Sequence, residues 1–305
     1  MRKVSVVVSG GSSKGAYQIG FFKALKKSGL HFCIDSISAT SIGVINAYAF
    51  LTEKLDVAEQ LWLSPNINGI WNFRSLIKND NFLLNSLTEL IQTNDFIPCD
   101  FYVTLSEMST MTARYFNLKG KINSLKIKLI RTSISIPFLT FEPLQCNSKV
   151  YFDGGVTDNI PITPIINRNV DILFIVHFMP GYQIDSLNKK TNADIVYIDM
   201  SKCRDFKQGN FNFKREQVQA MIEEGERYAL QIIHEYVSQR KSNFKNKHKW
   251  HLIYYYFSGA RFLSFLNYFF NINKSERITL VRNIKFIYKQ IYNFILRNNK
   301  KIDTH

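Results

Sequence analysis

The sequence predicts an α/β layered fold with a parallel sheet. Two strand–turn–helix units follow one another within residues 4–51, a spacing that suits parallel strands joined by right-handed crossovers. Residues Ile172–His177 form a near-continuous apolar run, which is typical of a buried parallel strand. The chain has 305 residues, 46% of them hydrophobic and 21% charged, so it can bury a sizeable core. This composition excludes a disordered chain, a collagen-like chain and a disulfide scaffold.

Local patterns place the first elements. Val4–Val8 is a β-branched run that stops at Ser9-Gly10-Gly11, as expected of a strand that ends in a turn. Apolar residues at helical spacing predict a helix at 14–27, then a strand at 33–38 and a helix at Ile42–Leu51. The remaining predicted strands are 101–104, 113–117, 150–152, Ile172–His177 and 195–199, and the remaining predicted helices are 125–135 and 214–240.

The distribution of charge divides the chain into two predicted regions. The formal net charge is +15, and residues 240–305 carry +12 of it because they hold 14 Lys and Arg against two acidic residues. The body, residues 1–239, is nearly neutral at +3. We therefore expect a catalytic domain at 1–239, followed by a basic, aromatic-rich helical region at 240–305.

The cysteines and the N-terminus bear on the cellular compartment. The four cysteines form no CxxC pair, so we expect reduced thiols, mostly in the core, and no zinc site; they are Cys33, Cys99, Cys146 and Cys203. The Val-rich N-terminal stretch is too short for a secretory leader and favours a first strand. These features predict a cytoplasmic protein.

A glycine-rich loop, Ser9-Gly10-Gly11-Ser12-Ser13-Lys14-Gly15, lies between the first strand and the first helix. Glycines allow successive N–H groups to point into one space at a helix N-terminus, where negative charge is favoured. A Walker A loop would need Lys where Ala16 stands, and a dinucleotide fingerprint would need Gly where Ser12 stands. The loop is left with two interpretations, an oxyanion hole or a plain structural turn.

The second motif is Ala39-Thr40-Ser41-Ile42-Gly43, again between a strand and a helix. Small residues on both sides of a serine permit the sharp turn that exposes its hydroxyl as a nucleophile. Taken alone, Ser41 serves equally well as a helix N-cap. The third motif is Tyr151-Phe152-Asp153-Gly154-Gly155, whose lone Asp would favour a simple turn.

Together, the three motifs supply a nucleophile, a base and an oxyanion hole. An α/β-hydrolase triad would need His177 or a later histidine, but His177 ends a buried-looking strand and is better explained as a satisfied core or rim histidine. Ser41 also comes after only two strands, too early for that fold. A dyad of Ser41 with Asp153 as the base fits the sequence better.

These motifs resemble those of the patatin-like phospholipases. The resemblance covers residues 3–205 and includes Ser135-Ile136-Pro137-Phe138 before the Asp motif and residues 156–161 after it. It implies a three-layer α/β/α fold and acyl transfer through Ser41 and Asp153. It also implies an oxyanion loop with five members, which are Gly10, Gly11, Ser12, Lys14 and Gly15.

Two positions depart from the family pattern. Ser12 and Ala39 stand where the family usually has glycine. Ala39 adds a single methyl group, and Ser12 can serve if its φ is negative, because the oxyanion donors are backbone amides. Acyl transfer by this dyad requires neither a metal nor a cofactor. Because a carboxylate with a pKa of ~4 is a weak base, we expect desolvation to raise the basicity of Asp153.

The C-terminal region suggests contact with a membrane surface. Residues 251–273 are long and apolar enough to suggest a span, but Arg261 and several tyrosines suit an interface better. From residue 278, apolar residues recur at helical spacing with Arg282, Lys285, Lys289 and Arg297 interleaved, which indicates a basic amphipathic helix. We expect residues 250–300 to bind an anionic membrane surface. Packing against the catalytic domain is the alternative.

The sequence therefore predicts a lipid acyl hydrolase that acts on phospholipids or other acyl esters and associates peripherally with membranes. One alternative is a catalytically impaired lipid-binding protein on the same fold, because of Ala39 and Ser12. Nucleic-acid binding through the basic tail is a further and weaker alternative.

Overall fold

A computed structural model describes residues 3–64, 90–91, 95–135, 143–146, 148–184, 186–204, 206 and 214–242. The expected basic helical region at 240–305 lies outside these residues except for the end of the last helix. Of the predicted segment before the Asp motif, only Ser135 is described.

The described residues form eight strands and five α-helices. The strands are β1 (Val4–Val8), β2 (Ile34–Thr40), β3 (Asp100–Glu107), β4 (Thr112–Asn117), β5 (Leu144–Cys146), β6 (Lys149–Asp153), β7 (Ile172–His177) and β8 (Asp194–Asp199). The helices are α1 (Gly15–Lys27), α2 (Ile42–Leu51), α3 (Leu55–Trp62), α4 (Asn123–Ser133) and α5 (Arg215–Ser242).

The strands form one sheet with a parallel centre. Five neighbouring strands, in the order β3-β2-β1-β7-β8, run parallel. Three further strands extend the β3 end of the sheet in antiparallel pairs. β4 and β6 both pair with β3, and β5 pairs with β6. The predicted α/β fold with a mainly parallel sheet is therefore confirmed.

Alternating side chains of the sheet enter two hydrophobic clusters. Val4, Val6 and Val8 of β1 face the larger cluster, to which all five helices contribute. Val7 faces a smaller cluster on the opposite side, where residues 160–170 and 184–193 cover the sheet. Every residue of β7 is buried, as the continuous apolar run predicts.

Helices α1 and α5 approach each other closely because both carry glycine at the crossing. A methyl group on Gly20 would lie 2.2 Å from the carbonyl oxygen of Ile222. One on Gly225 would lie 2.3 Å from the carbonyl oxygen of Tyr17. Neither position has room for a side chain, so the glycines let the two backbones touch.

Several sequence-based boundaries need correction. The strand predicted at 33–38 begins and ends later, at Ile34 and Thr40, because Leu30–Cys33 is a 3₁₀ turn. Helix α3 and the three-residue strand β5 are present in the structure but were not predicted from the sequence. The prediction that most cysteines lie in the core holds for two: Cys99 and Cys203 are buried, Cys33 is half-buried and Cys146 is exposed.

Within the described residues, none of the helices combines the length and the apolar character needed to span a bilayer.

Candidate active site

Strand pairing brings Ser41 and Asp153 together. β2 pairs with β3 from Asp100 to Thr104, and β6 pairs with β3 from Leu105 to Glu107. Since β4 occupies the other side of β3, β2 and β6 lie on the same side and run toward each other. Ser41 follows the last residue of β2, and Asp153 is the last residue of β6. The carboxyl ends of these two strands therefore meet at adjacent positions of β3.

Ser41 occupies a sharp turn between β2 and α2. Its φ of 55° and ψ of −133° are rarely adopted by residues other than glycine, and such backbone strain costs about 1–3 kcal/mol. Gly43 allows the turn, because a methyl group there would lie 2.7 Å from the carbonyl oxygen of Ser9. Ala39, by contrast, is buried within β2 as part of the larger core cluster. This is the geometry of a nucleophile elbow.

The hydroxyl of Ser41 is committed to Asp153 and not to helix capping. Ser41 Oγ donates to Asp153 Oδ2 at 2.6 Å, and α2 has no side-chain cap at its first residue. The other oxygen of the carboxylate, Oδ1, accepts the Gly155 N–H at 2.7 Å. Ser41 therefore stands at the N-cap position of α2 but does not cap the helix with its side chain.

Asp153 is held and desolvated by its surroundings. Its backbone N–H donates to the Ser135 carbonyl at 3.0 Å, and its carbonyl accepts the Ser106 hydroxyl at 2.8 Å. Gly154 fits against β3, because a methyl group there would lie 2.4 Å from the Thr104 carbonyl oxygen. The side chain is only 3% exposed, and burial raises the pKa of Asp153 to about 7 despite its two hydrogen bonds.

The glycine-rich loop passes directly beside Ser41. A methyl group on Gly10 would lie 2.9 Å from Ser41 Cβ, and one on Gly11 would overlap the ring of Phe178. Asn159 fixes the loop from the opposite side: its carbonyl accepts the Gly10 N–H at 3.2 Å, and its side-chain amide donates to the Gly10 carbonyl at 3.3 Å. The sequence analysis placed Asn159 in a family segment without giving it this role.

The loop uses some of its own amides internally. The Lys14 N–H donates to the Gly11 carbonyl at 3.0 Å, and the Gly15 N–H donates to the Ser12 carbonyl. With the Gly10 N–H bound to Asn159, three of the five predicted loop members have their amides occupied. In the described part of the chain, the amides of Gly11 and Ser12 have no such acceptor.

Ser12 does not have the backbone conformation that the sequence analysis required. Its φ is +50°, in the left-handed region that favours glycine. The condition of a negative φ is therefore not met. Holding a serine in this conformation costs about 1–2 kcal/mol.

Lys14 is buried beside an aromatic cluster. Its ammonium lies 5.2 Å from the ring centroid of Phe206, and this ring stacks on Phe178, which touches the loop at Gly11. Burial lowers the pKa of Lys14 to about 8. The lysine therefore places a cation near the loop without exposing it to solvent.

The structure also contains a cavity of about 440 Å³, whose lining includes neither Ser41 nor Asp153. It lies between the start of β4, the segment 156–163 and Tyr182 with Ile184. Asp158 connects this cavity to the elbow: its carboxylate accepts the Tyr115 hydroxyl at 2.6 Å, and its carbonyl accepts the Thr40 hydroxyl at 2.9 Å. The cavity wall is thus bonded to the residue that precedes Ser41.

His177 takes no part in the pair of Ser41 and Asp153. It is fully buried, as expected, beside the rings of Tyr182 and Tyr197. Neither ring nitrogen has a hydrogen-bond partner within ordinary distance limits among the described residues, although a backbone contact with Met179 favours the protonated ring. Burial lowers the pKa of His177 to about 4, although the Asp199 carboxylate lies 3.9 Å away.

A mainly parallel α/β sheet that presents an elbow serine bonded to a buried aspartate defines a class of α/β proteins with a nucleophile elbow. Within this class, the model of the patatin-like phospholipases matches residues 6–166, slightly more than half of the chain. The chain belongs to the patatin-like phospholipase family.

Individual relatives are distant. Lysophospholipase NTE1 of Kluyveromyces lactis is 25% identical over 189 residues, which cover 57% of this chain and 12% of that protein. An uncharacterised NTE family protein of Mycobacterium bovis is 21% identical over 66% of this chain and 59% of its own length. The chain therefore spans only about an eighth of the first of these relatives.

Among solved structures, VipD from Legionella pneumophila has a TM-score of 0.50 and 12% sequence identity. The alignment covers 77% of this chain and 67% of VipD. At this identity the likeness concerns the fold alone.

Proposed function

We propose that this chain is a serine lipid acyl hydrolase of phospholipase A or lysophospholipase type, with Ser41 as the nucleophile and Asp153 as its base. The observation that carries the proposal is the 2.6 Å hydrogen bond from the Ser41 hydroxyl to a buried carboxylate. Burial raises the pKa of that carboxylate to about 7, and a base is most effective when its pKa lies near the working pH. Membership of the patatin-like phospholipase family gives independent support.

In the acylation step, the proton of the Ser41 hydroxyl passes to Asp153 Oδ2 as Oγ forms a bond to the ester carbonyl carbon. The carbonyl electron pair moves to oxygen, and the oxyanion accepts hydrogen bonds from the loop. Collapse of the tetrahedral intermediate expels the alcohol, which takes the proton from Asp153. Water then attacks the acyl-enzyme in the same way and releases the fatty acid.

The oxyanion donors of this proposal are the amides of Gly11 and Ser12. Their support is an elimination, because the amides of Gly10, Lys14 and Gly15 already donate to carbonyls of the protein. These three residues shape the loop in this scheme. The start of α2 directly after Ser41 adds the favourable field of a helix N-terminus.

The cavity beside Asp158 is proposed to receive the acyl part of the substrate. Its lining includes the apolar side chains of Met111, Val156, Ile160, Ile162 and Ile184. A volume of about 440 Å³ is within the usual range of small-molecule sites.

The experiment that tests this function is labelling with a serine-reactive fluorophosphonate, followed by peptide mapping and by hydrolysis assays on phospholipid and lysophospholipid. We expect the label on Ser41 in the wild type, none in Ser41→Ala, and a large decrease in Asp153→Asn. Asp56→Asn, which changes an exposed acid on α3, is the matched control and should label normally. A folded wild type that neither labels nor hydrolyses these lipids would refute the proposal.

One observation favours a second candidate, a catalytically impaired lipid-binding protein on the same fold. Ser12 holds a left-handed conformation in the loop that carries the proposed oxyanion donors. Binding to lipid vesicles without labelling of Ser41 would favour this candidate.

The basic region is proposed to hold the enzyme on anionic membranes from the cytoplasmic side. The support is the sequence pattern of residues 250–300, where each basic residue near such a surface contributes about 1 kcal/mol. Changing Arg282, Lys285, Lys289 and Arg297 to Gln should abolish co-sedimentation with anionic vesicles. Unchanged sedimentation would contradict this role.

A further inference from the structure

Three buried polar side chains, linked by hydrogen bonds, connect the glycine-rich loop to the helix that follows Ser41. Its members are Gln18 on α1, Asn46 on α2 and Trp62 at the end of α3. Gln18 and Asn46 are fully buried, and Trp62 is 4% exposed. None of these residues belongs to the motifs that the sequence analysis identified.

The hydrogen bonds that link these three side chains all donate in the same direction, from Trp62 toward Ser9. Trp62 Nε1 donates to Asn46 Oδ1 at 3.1 Å, and Asn46 Nδ2 donates to Gln18 Oε1 at 2.9 Å. Gln18 Nε2 then donates to the Ser9 carbonyl at 2.7 Å. Because an indole N–H can only donate and a carbonyl can only accept, both ends fix the orientation of the two amides between them.

These side chains form hydrogen bonds with both ends of the glycine-rich loop. Ser9 is the first residue of the loop, and Gly15 is its last. The carbonyl of Gly15 accepts a second bond from Asn46 Nδ2 at 2.9 Å, so both protons of this amide are used. The amides of Gly11 and Ser12 lie between these two fixed points.

Asn46 is also rigidly connected to Ser41. It lies five residues further along the same helix, whose other residues are apolar except for Tyr48. A buried asparagine in a helix interior is unfavourable unless its amide is fully bonded. Its bonds here tie α2 to the loop, so they set the distance between Ser41 and the loop amides.

We infer that Gln18, Asn46 and Trp62 form a positioning relay that fixes the glycine-rich loop relative to Ser41. This inference rests on the proposed function for its kinetic consequence but not for its structural one. A donor displaced by about 1 Å from a developing oxyanion lowers the rate by about two orders of magnitude. The relay therefore acts on the transition state and not on substrate binding.

The first test measures kinetics with a soluble short-chain nitrophenyl ester and inhibition by a trifluoromethyl ketone, which forms a tetrahedral adduct with the serine. Gln18→Met removes the bond to the Ser9 carbonyl and the bond accepted from Asn46, and we expect kcat to fall about 10- to 100-fold with KM within twofold. The inhibition constant of the ketone should weaken by the same factor as kcat/KM. Trp62→Phe, which removes only the far anchor of the relay, should show the same pattern with a decrease of about threefold to tenfold.

Tyr48→Phe is the matched control. It removes a buried 2.6 Å hydrogen bond to Asp95 from the same helix, without any bond to the loop. It should leave kcat and the inhibition constant unchanged. Equal losses of kcat in Tyr48→Phe and Gln18→Met would overturn the inference, as would a rise in KM at constant kcat.

The second test does not depend on activity. Hydrogen exchange of the peptide covering residues 9–17 reports on the bonded amides of Gly10, Lys14 and Gly15. We expect faster exchange in Gln18→Met than in Tyr48→Phe, at matched overall stability. If the wild type proves inactive while this difference is found, only the proposed function fails. Equal exchange in both variants overturns the relay itself.

Discussion

Replacing Asp153 by asparagine is expected to stabilise the folded protein at neutral and alkaline pH while it removes the base. Burial raises the pKa of Asp153 from its ordinary value of 3.8 to about 7. The folded state therefore binds this proton more tightly than the unfolded chain, and stability decreases as the pH rises from about 4 to about 7. The buried negative charge of Asp153 lowers the unfolding free energy by its full amount above about pH 7 and not at all below about pH 4.

The two pKa values differ by about 3, which corresponds to about 4 kcal/mol at about 1.4 kcal/mol for each pKa unit. Asparagine keeps the bond from the Gly155 N–H and can donate to Ser41 Oγ, but it leaves one buried N–H unpaired. That unpaired donor costs about 1–3 kcal/mol at every pH. The net effect of Asp153→Asn is a stabilisation of about 1–3 kcal/mol at pH 8 and a destabilisation of about 1–3 kcal/mol at pH 4, where only the unpaired donor counts.

The measurement is urea unfolding of the wild type and Asp153→Asn at several pH values between 4 and 8. The difference in unfolding free energy between the two proteins should change by about 4 kcal/mol across this range. Ser41→Ala is the control, since it keeps the buried carboxylate and should keep the pH dependence. A difference that stays constant with pH would refute the argument that Asp153 is desolvated.

Three further predictions concern the site and the core. The kcat/KM of ester hydrolysis should rise with pH through about 7, because the dyad needs the carboxylate of Asp153 deprotonated; a pH–rate profile that falls only below about pH 4 contradicts this. Ser12→Gly should raise the unfolding free energy by about 0.5–1 kcal/mol, because glycine adopts its φ of +50° without strain; urea unfolding that shows a loss contradicts it. Gly20→Ala should lower the unfolding free energy by about 1–3 kcal/mol, because its methyl group would overlap the Ile222 carbonyl even though alanine is the better helix former; urea unfolding that shows no loss contradicts it.

Much of the sheet could be predicted because its strands are encoded locally. Val4–Val8 and Ile172–His177 are apolar runs with clear ends, and both appear in the structure with the predicted boundaries. Strand β5 has only three residues, which is too short for such a pattern, and it is defined by its pairing with the edge of β6. Short strands of this kind depend on their neighbours and not on their own sequence.

The motifs of the site could be predicted from the sequence, but the backbone amides that remain available as hydrogen-bond donors could not. The motifs named Ser41 and Asp153, yet the availability of each loop amide depends on residues far along the chain. Gly10 is occupied by Asn159, 149 residues away, and no local pattern encodes that contact. The relay through Gln18 and Asn46 could not be predicted for the same reason, because a single polar residue in an apolar helix has no distinctive spacing.

The meeting of β2 and β6 on β3 has a consequence for the synthesis of the protein. Residues 4–51 contain the parallel pair β1 and β2 and the strained elbow at Ser41. Its base is 112 residues downstream and reaches the serine only after β3 and β6 have paired. A growing chain on the ribosome therefore contains Ser41 for 112 residues of synthesis before Asp153 is added. The pair of Ser41 and Asp153 can therefore form only in one step, when β6 is added to the sheet.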